Sequence, residues 1–470
     1  MTKAHGLPQR RREQRDELMK TISETYADFI VRTRFDDLGT DVVEQAKKLI
    51  LDLVGVSLAG YATMEFPKIV VSYFAGLGGK PEATIVQTKK KFPAINAAFA
   101  NASCAHAIDM DDGHRFGALH PGVAIIPAAL AAAELGGADP KTLLSGIVAG
   151  YEIMIRLGAA INPSSLNRGF HITGITGVYG AAAACAKIMH LNEGETAGAL
   201  GMAGLQASGL IQVNHEVEGA KVKPLNPARA ASNGLLSCIL AKRGARGPLQ
   251  ILEGEDGYLK AVSDEVNKDL LTKGLGKDFE ILKVYVKLYA ACRHAHAPID
   301  AVFEALKGRT IEPEEITRVS VETYSAAVRL AGIKEAITPS AARFSIPLSV
   351  AIAISRKEAG PTQYCEEVVR DAGIQALARK VEMTVSGKWE TAYPRKRGAT
   401  VTVHTRSGKK SKFEVELAKG EPENPASWDE MYRKFLSNAT RLLSAEAAEE
   451  LGERILALEE SSLDEALRLL

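Results

Sequence analysis

Apolar residues recur at helical spacing through the first half of the chain and at alternate positions through a shorter, later stretch. Val42, Val43, Ala46, Leu49, Ile50 and Leu53 fall on one helix face behind Thr40, a candidate N-cap, and residues from about 14 to 60 read as helices. The run from Val123 to Ala133 is apolar on every side, which predicts a buried helix, and helical character extends from Ala97 to about Gly244. After Gly254 to Gly257 the pattern changes. A helix around Ile299 to Leu306 precedes the alternating Val319, Val321 and Thr323, a predicted strand. Val381, Met383 and Val385 predict another. Val401, Val403 and Thr405 lead through Arg406-Ser-Gly-Lys409 to Phe413, Val415 and Leu417, which reads as a hairpin. Beyond Pro422 to Pro425, Met431, Phe435, Leu451, Ile455 and Leu458 are again helical but too few for a separate core. These patterns predict a mainly α fold: a large all-helical domain with a smaller inserted α+β domain. The helical part covers 14–275, the α+β domain 276–420, and helices in 421–470 return to the first part.

A length of 470 residues fits two domains. Lys and Arg total 58 against 57 Asp and Glu, so the formal charge of +1 provides no broad attraction for nucleic acid. The start, from Met1 to Arg12, carries charge without a following apolar run, and the Ala- and Gly-rich stretches are interrupted before they span a membrane. The expectation is a cytoplasmic protein without membrane or nucleic-acid partners. Cys104, Cys185, Cys238, Cys292 and Cys365 are scattered, with no CxxC pair, and read as core or pocket-wall thiols.

Against this apolar background, charged groups concentrate in four segments. In Cys104 to Gly122 stand Asp109, Asp111, Asp112, His114 and His120. Closely placed carboxylates force one another's pKa values apart. Asp109 and His120 are the leading pair, one orienting a group and the other moving a proton, while Asp112 and His114 are substrate-contact candidates. The alternative has Asp109 and Asp112 capping turns, with His114 exposed. His171 follows Gly169-Phe170 and precedes small residues that permit close approach of a ligand, or else it is a satisfied histidine at a helix start. Lys221 and Lys223 project alike if their segment is extended, and Pro224 restricts the backbone of Lys223, the preferred carboxylate ligand of the two. Lys287 and Arg293 can neutralise carboxylates, and His296 can approach a reacting carbon. Alternatively, Arg293 pairs with Asp300 and His294 is structural. HxH without a third ligand is a weak metal signal, and no Ser-centred nucleophile elbow appears. The expected chemistry uses neither metal nor cofactor.

His106-Ala-Ile-Asp-Met-Asp-Asp112, His120-Pro-Gly, Gly169-Phe-His171-Ile-Thr-Gly, Lys223-Pro-Leu, Cys292-Arg-His-Ala-His296 and Arg343-Phe-Ser-Ile-Pro347 occur in an order that resembles the MmgE/PrpD family. That family includes 2-methylcitrate dehydratases, cis-aconitate decarboxylases and iminodisuccinate epimerases. The resemblance implies a helical domain completed by the C-terminal tail, an inserted lid, a pocket between them and a homodimer. It also implies that Asp109, His120, His171, Lys223 and Lys287 are pocket residues, with His296 nearby. Two positions depart from the family pattern. Gly113 stands where many members have Thr, and Leu348 where several have Tyr, with His114 and Arg115 as candidate compensating groups.

The expected substrate is a small di- or tricarboxylate held by Lys223, Lys287 and Arg293, with His171 or His120 as base. Dehydration is the preferred outcome. Epimerisation of an amino or imino dicarboxylate, decarboxylation of an unsaturated tricarboxylate, and noncatalytic anion binding are the alternatives.

Overall fold

The computed structural model describes residues 20–460 apart from 87, 89, 215, 217–220 and 309–310. The expected helical start at 14–19 lies outside the described residues. The protein is mainly helical, with a smaller α+β part. Helices Thr40–Thr63, Ala94–Ala105, Gly122–Gly136, Pro140–Ile161, Ile172–Ile188 and Leu225–Lys242 make up most of its first part. Thr40 is not the cap of its helix. It is the first helical residue after Gly39. The amide of Val42, which a capping hydroxyl would claim, donates instead to Asp41 Oδ1 at 2.9 Å.

Ile172–Ile188 is packed among Gly122–Gly136, Pro140–Ile161 and Leu225–Lys242. Small residues make this possible. A Cβ added at Gly150 would lie 2.8 Å from the Gly180 carbonyl oxygen, and one at Gly180 would lie 3.1 Å from that of Gly150, so these two helices meet backbone to backbone. Pro140–Ile161 has the length and composition of a membrane span, but 94% of its apolar window is buried inside the fold. Its charges are also matched internally, with Arg156 Nε donating to Glu152 Oε1 at 2.6 Å.

The predicted strands form one sheet. Strands β1 (Ile316–Thr323), β2 (Val381–Val385), β3 (Ala399–Thr405) and β4 (Lys410–Val415) lie in the order β2-β1-β3-β4, with β1 and β2 parallel and the other pairs antiparallel. Val319 pairs with Val403 and Val321 with Val401, and all four are buried, as the alternation predicts. Helices His296–Leu306 and Ile346–Arg356 pack against this sheet.

Among the described residues two large apolar cores and one minor alanine cluster result, and helix Thr40–Thr63 serves both large cores. Its Val54 and Leu58 belong to the larger core, and its Val56 and Ala59 join Ile108 and Met110 in the other. The late helix Trp428–Ala439 lies across it. There Lys434 forms a buried ion pair with Asp52 and donates to the Met110 carbonyl at 2.9 Å. The loop carrying the acidic cluster is therefore clamped from both sides.

On the inner side the clamp depends on Gly60, where a Cβ would stand 2.1 Å from the Cys104 carbonyl oxygen. Because backbone cannot yield as a side chain does, Gly60→Ala is expected to cost about 1–3 kcal/mol. The change would appear as a lower thermal unfolding midpoint. An unchanged midpoint would mean that the helix and the loop have room to part.

Candidate active site

Asp109 occupies the loop between helices Ala94–Ala105 and Gly122–Gly136 with φ at +53°, a backbone state that Asp tolerates better than most side chains. This conformation brings its buried carboxylate to two lysines from distant segments. Lys223, in the turn before Leu225–Lys242, donates to Oδ1 at 2.7 Å. Lys287 lies 3.2 Å from Oδ2 and also donates to the Asp109 carbonyl at 2.9 Å. Burial would push the Asp109 pKa up, but the two ammonium groups outweigh it and hold the carboxyl well below the usual range. For Lys287, burial acts downward, while Asp109 and Asp111 raise its pKa overall.

His120 does not pair with Asp109 as expected. Its partner is Asp111, because Asp109 is already taken by the lysines. Asp111 Oδ2 lies 3.0 Å from His106 Nδ1 and 3.1 Å from His120 Nδ1. The carbonyl oxygen of Asp112 lies 2.6 Å from the same His120 nitrogen. Both neighbours of His120 Nδ1 are acceptors, so this nitrogen carries a proton and Nε2 is the one left to exchange a proton. His171 begins helix Ile172–Ile188, and its ring centroid lies 6.2 Å from that of His106. Burial, followed by the Lys223 charge, holds the His171 pKa well below its ordinary value, so the imidazole is neutral near pH 7. Ligand atoms of His106, Asp109 and Asp111 fall within 4.8 Å of one another, a spacing that would suit a cation. In this structure two ammonium groups claim Asp109 and two imidazoles claim Asp111.

These groups meet at a cavity of about 110 Å³ whose lining includes Asp109, His120, His171, Lys223, Lys287 and Arg293. A larger cleft shares Leu166 and Tyr393 with it. Four candidate residues lie off the small cavity. Asp112 accepts from Gly122 N at 3.1 Å and from Tyr151 Oη at 2.7 Å, which points its carboxyl into the helical core. His114 is buried, not exposed, with Nδ1 accepting from Gly117 N at 3.1 Å. Lys221 is half-buried in a helical turn, so the extended geometry that would align it with Lys223 is absent. His296 starts a helix with Nε2 3.2 Å from the Ala291 carbonyl oxygen, whereas His294 lines the cavity. Arg293 does line it, but its guanidinium is held by Glu421 at 3.0 Å and by the carbonyl oxygens of Val286, Ala418 and Lys419. Its partner is therefore Glu421 rather than Asp300, which accepts from Tyr289 Oη and Lys419 N.

The sequence reading also overlooked cavity residues. Arg397 sits in an ordinary basic run, and Phe344, whose ring lies 5.2 Å from Lys223 Nζ, sits in a motif noted only for resemblance. Tyr285 is the most informative omission. A Cβ at Gly113 would lie 2.4 Å from Tyr285 Oη. The phenol therefore fills the space a larger residue at 113 would need and brings a hydroxyl to the cavity wall. His114 and Arg115 do not fill this role, since Arg115 pairs with Glu421 and Glu423. Leu348 is buried in the lid core.

Residues 24–271 match the MmgE/PrpD N-terminal domain and residues 289–460 match the MmgE/PrpD C-terminal domain. A cis-aconitate decarboxylase of Aspergillus terreus is 31% identical over 300 residues, which cover 61% of this chain and 60% of that protein. A human cis-aconitate decarboxylase is 30% identical over 247 residues, 51% of this chain and 50% of its own length. The mouse protein of that name is 24% identical over 454 residues, spanning 92% of this chain and 90% of its own. The chain thus spans only about half to three fifths of the Aspergillus and human relatives in these matches.

Burial, with the nearby charges of Asp111 and Asp52, raises the Asp112 pKa to about 8. Its folded value exceeds its unfolded one, so the stabilisation is complete below about pH 4 and is lost as pH rises to about 8. Asp112→Asn, neutral at every pH, is expected to flatten this part of the stability profile and to exceed the wild type most above pH 8. Thermal midpoints measured from pH 5 to 9 would check this, and parallel profiles for the two proteins would show that Asp112 is ionised throughout.

Proposed function

The chain belongs to the MmgE/PrpD family, and from that premise we propose that it is a cofactor-independent lyase that decarboxylates a small unsaturated tricarboxylate such as cis-aconitate. The observation that carries this reading is the pair of buried ammonium groups, Lys223 and Lys287, on one carboxylate beside two imidazoles. Dehydration, favoured by the sequence alone, takes second place because the similar proteins are named as decarboxylases.

In this mechanism Asp109 is a positioning residue that holds both lysines in place. Each ammonium has three N–H donors, so donors are left over for a substrate carboxylate. The bond from carbon to the departing carboxylate breaks and releases carbon dioxide. Its electron pair spreads across the alkene into a remaining conjugated carboxylate, where Lys223 and Lys287 stabilise the added charge. The carbon next to that carboxylate then takes a proton from His120 Nε2, which draws it from solvent before each turnover. His120 Nε2 is suited to this transfer because Asp111 and the Asp112 carbonyl hold the opposite ring nitrogen and leave Nε2 to the cavity. An epimerase would use the same charge stabilisation but would return the proton to the opposite face.

Incubation with cis-aconitate in D2O, followed by proton NMR, is expected to show an unsaturated dicarboxylate carrying one deuterium at the newly protonated carbon. Hydration of the alkene without loss of carbon dioxide would favour the dehydratase reading, and an unchanged substrate would count against both. Lys223→Ala is expected to lower turnover by about 10²- to 10³-fold while leaving the circular dichroism spectrum unchanged. Full turnover in that variant would remove Lys223 from the machinery.

A further inference from the structure

Four cationic side chains line the small cavity, and three of them have a carboxylate within ion-pair distance. Lys223 and Lys287 share Asp109, and Arg293 has Glu421. Arg397 has no carboxylate at that distance among the described residues. It is 8% exposed, its Nη2 donates to the Arg115 carbonyl at 2.7 Å, and its buried Nε has no hydrogen-bond partner. An uncompensated buried guanidinium is costly, since charges out of water are ordinarily paired.

The surrounding structure fixes this group in place. A Cβ at the adjacent Gly398 would lie 2.2 Å from the Trp389 ring, and Thr323 Oγ1 donates to the Gly398 carbonyl at 3.1 Å. The guanidinium of Arg397 lies 5.8 Å from the Tyr285 ring, and that of Arg293 lies 4.7 Å from the same ring. Lys223 stands just before helix Leu225–Lys242 in the first part of the fold, whereas Arg397 stands immediately before β3 in the lid.

We propose that Arg397 is the receptor for a second substrate carboxylate, which makes the site selective for polycarboxylates over monocarboxylates. This rests on the polycarboxylate reading above and deepens it. One carboxylate meets Lys223 and Lys287, another forms a forked pair with Arg397, and in a tricarboxylate the third is left to depart.

The test is equilibrium binding, which requires no turnover. Propane-1,2,3-tricarboxylate is titrated by calorimetry and but-2-enoate by NMR, into wild type, Arg397→Met and Arg397→Lys. In Arg397→Met the tricarboxylate is expected to bind roughly 10- to 100-fold more weakly, while but-2-enoate changes by less than about twofold. Arg397→Lys should fall between, because it keeps the charge and loses the fork. Unchanged tricarboxylate affinity in Arg397→Met, or equal weakening of both ligands, would overturn the inference. Wild type that binds neither ligand would overturn it together with the polycarboxylate reading. Wild type that binds the tricarboxylate yet turns over no cis-aconitate would sink only the decarboxylation, with Arg397 still judged by the variants.

Discussion

The carboxylate of Asp109, held out of water between the ammonium groups of Lys223 and Lys287, is the interaction on which the arrangement depends. It joins segments 114 and 178 residues away from Asp109. Two buried cations without that anion would repel each other. With it, they stand side by side at the cavity wall. The geometry requires a left-handed backbone at Asp109, and the surrounding helices must hold that loop against relaxation. Gly60 against Cys104 on one side and Lys434 against Met110 on the other provide the restraint.

Neighbouring charges follow the same logic by different means. Asp111 is held in its ionised form with one oxygen shared between two imidazoles, whereas the environment of Asp112 favours retaining its proton. Glu421 accepts from Arg293 and lies near Arg115, so an acid late in the chain ties the cavity wall to the acidic loop. Three adjacent residue types that look alike in sequence therefore differ in protonation and in role: Asp109 aims cations, Asp111 sets a tautomer, and Asp112 closes a helix start.

Periodicity made the fold legible. Alternation placed Val319, Val321, Val401 and Val403 on the buried face of one sheet, and the unbroken apolar run at 123–133 gave a buried helix. The candidate site was legible where a residue type had little else to do in an apolar setting, as with Asp109, His120, His171, Lys223 and Lys287. It was obscured where the decisive fact was direction. His294 and His296 are two residues apart, yet only His294 faces the cavity, because a 3-10 turn passes into a helix between them. Local sequence could not show that Glu421 would claim Arg293, since 128 residues separate them. Arg397 had no local signal at all: its importance lies in a partner it lacks.

The contact between position 113 and Tyr285 makes the two sites sterically dependent on each other. A side chain larger than hydrogen at 113 cannot coexist with the phenol as it now stands, and loss of the phenol alone would leave a void beside Gly113. Position 113 can therefore take a side chain without strain only if residue 285 gives up its phenol at the same time. The hydroxyl that meets the cavity stands on Tyr285 opposite Gly113, so a substitution at either position acts on the pair.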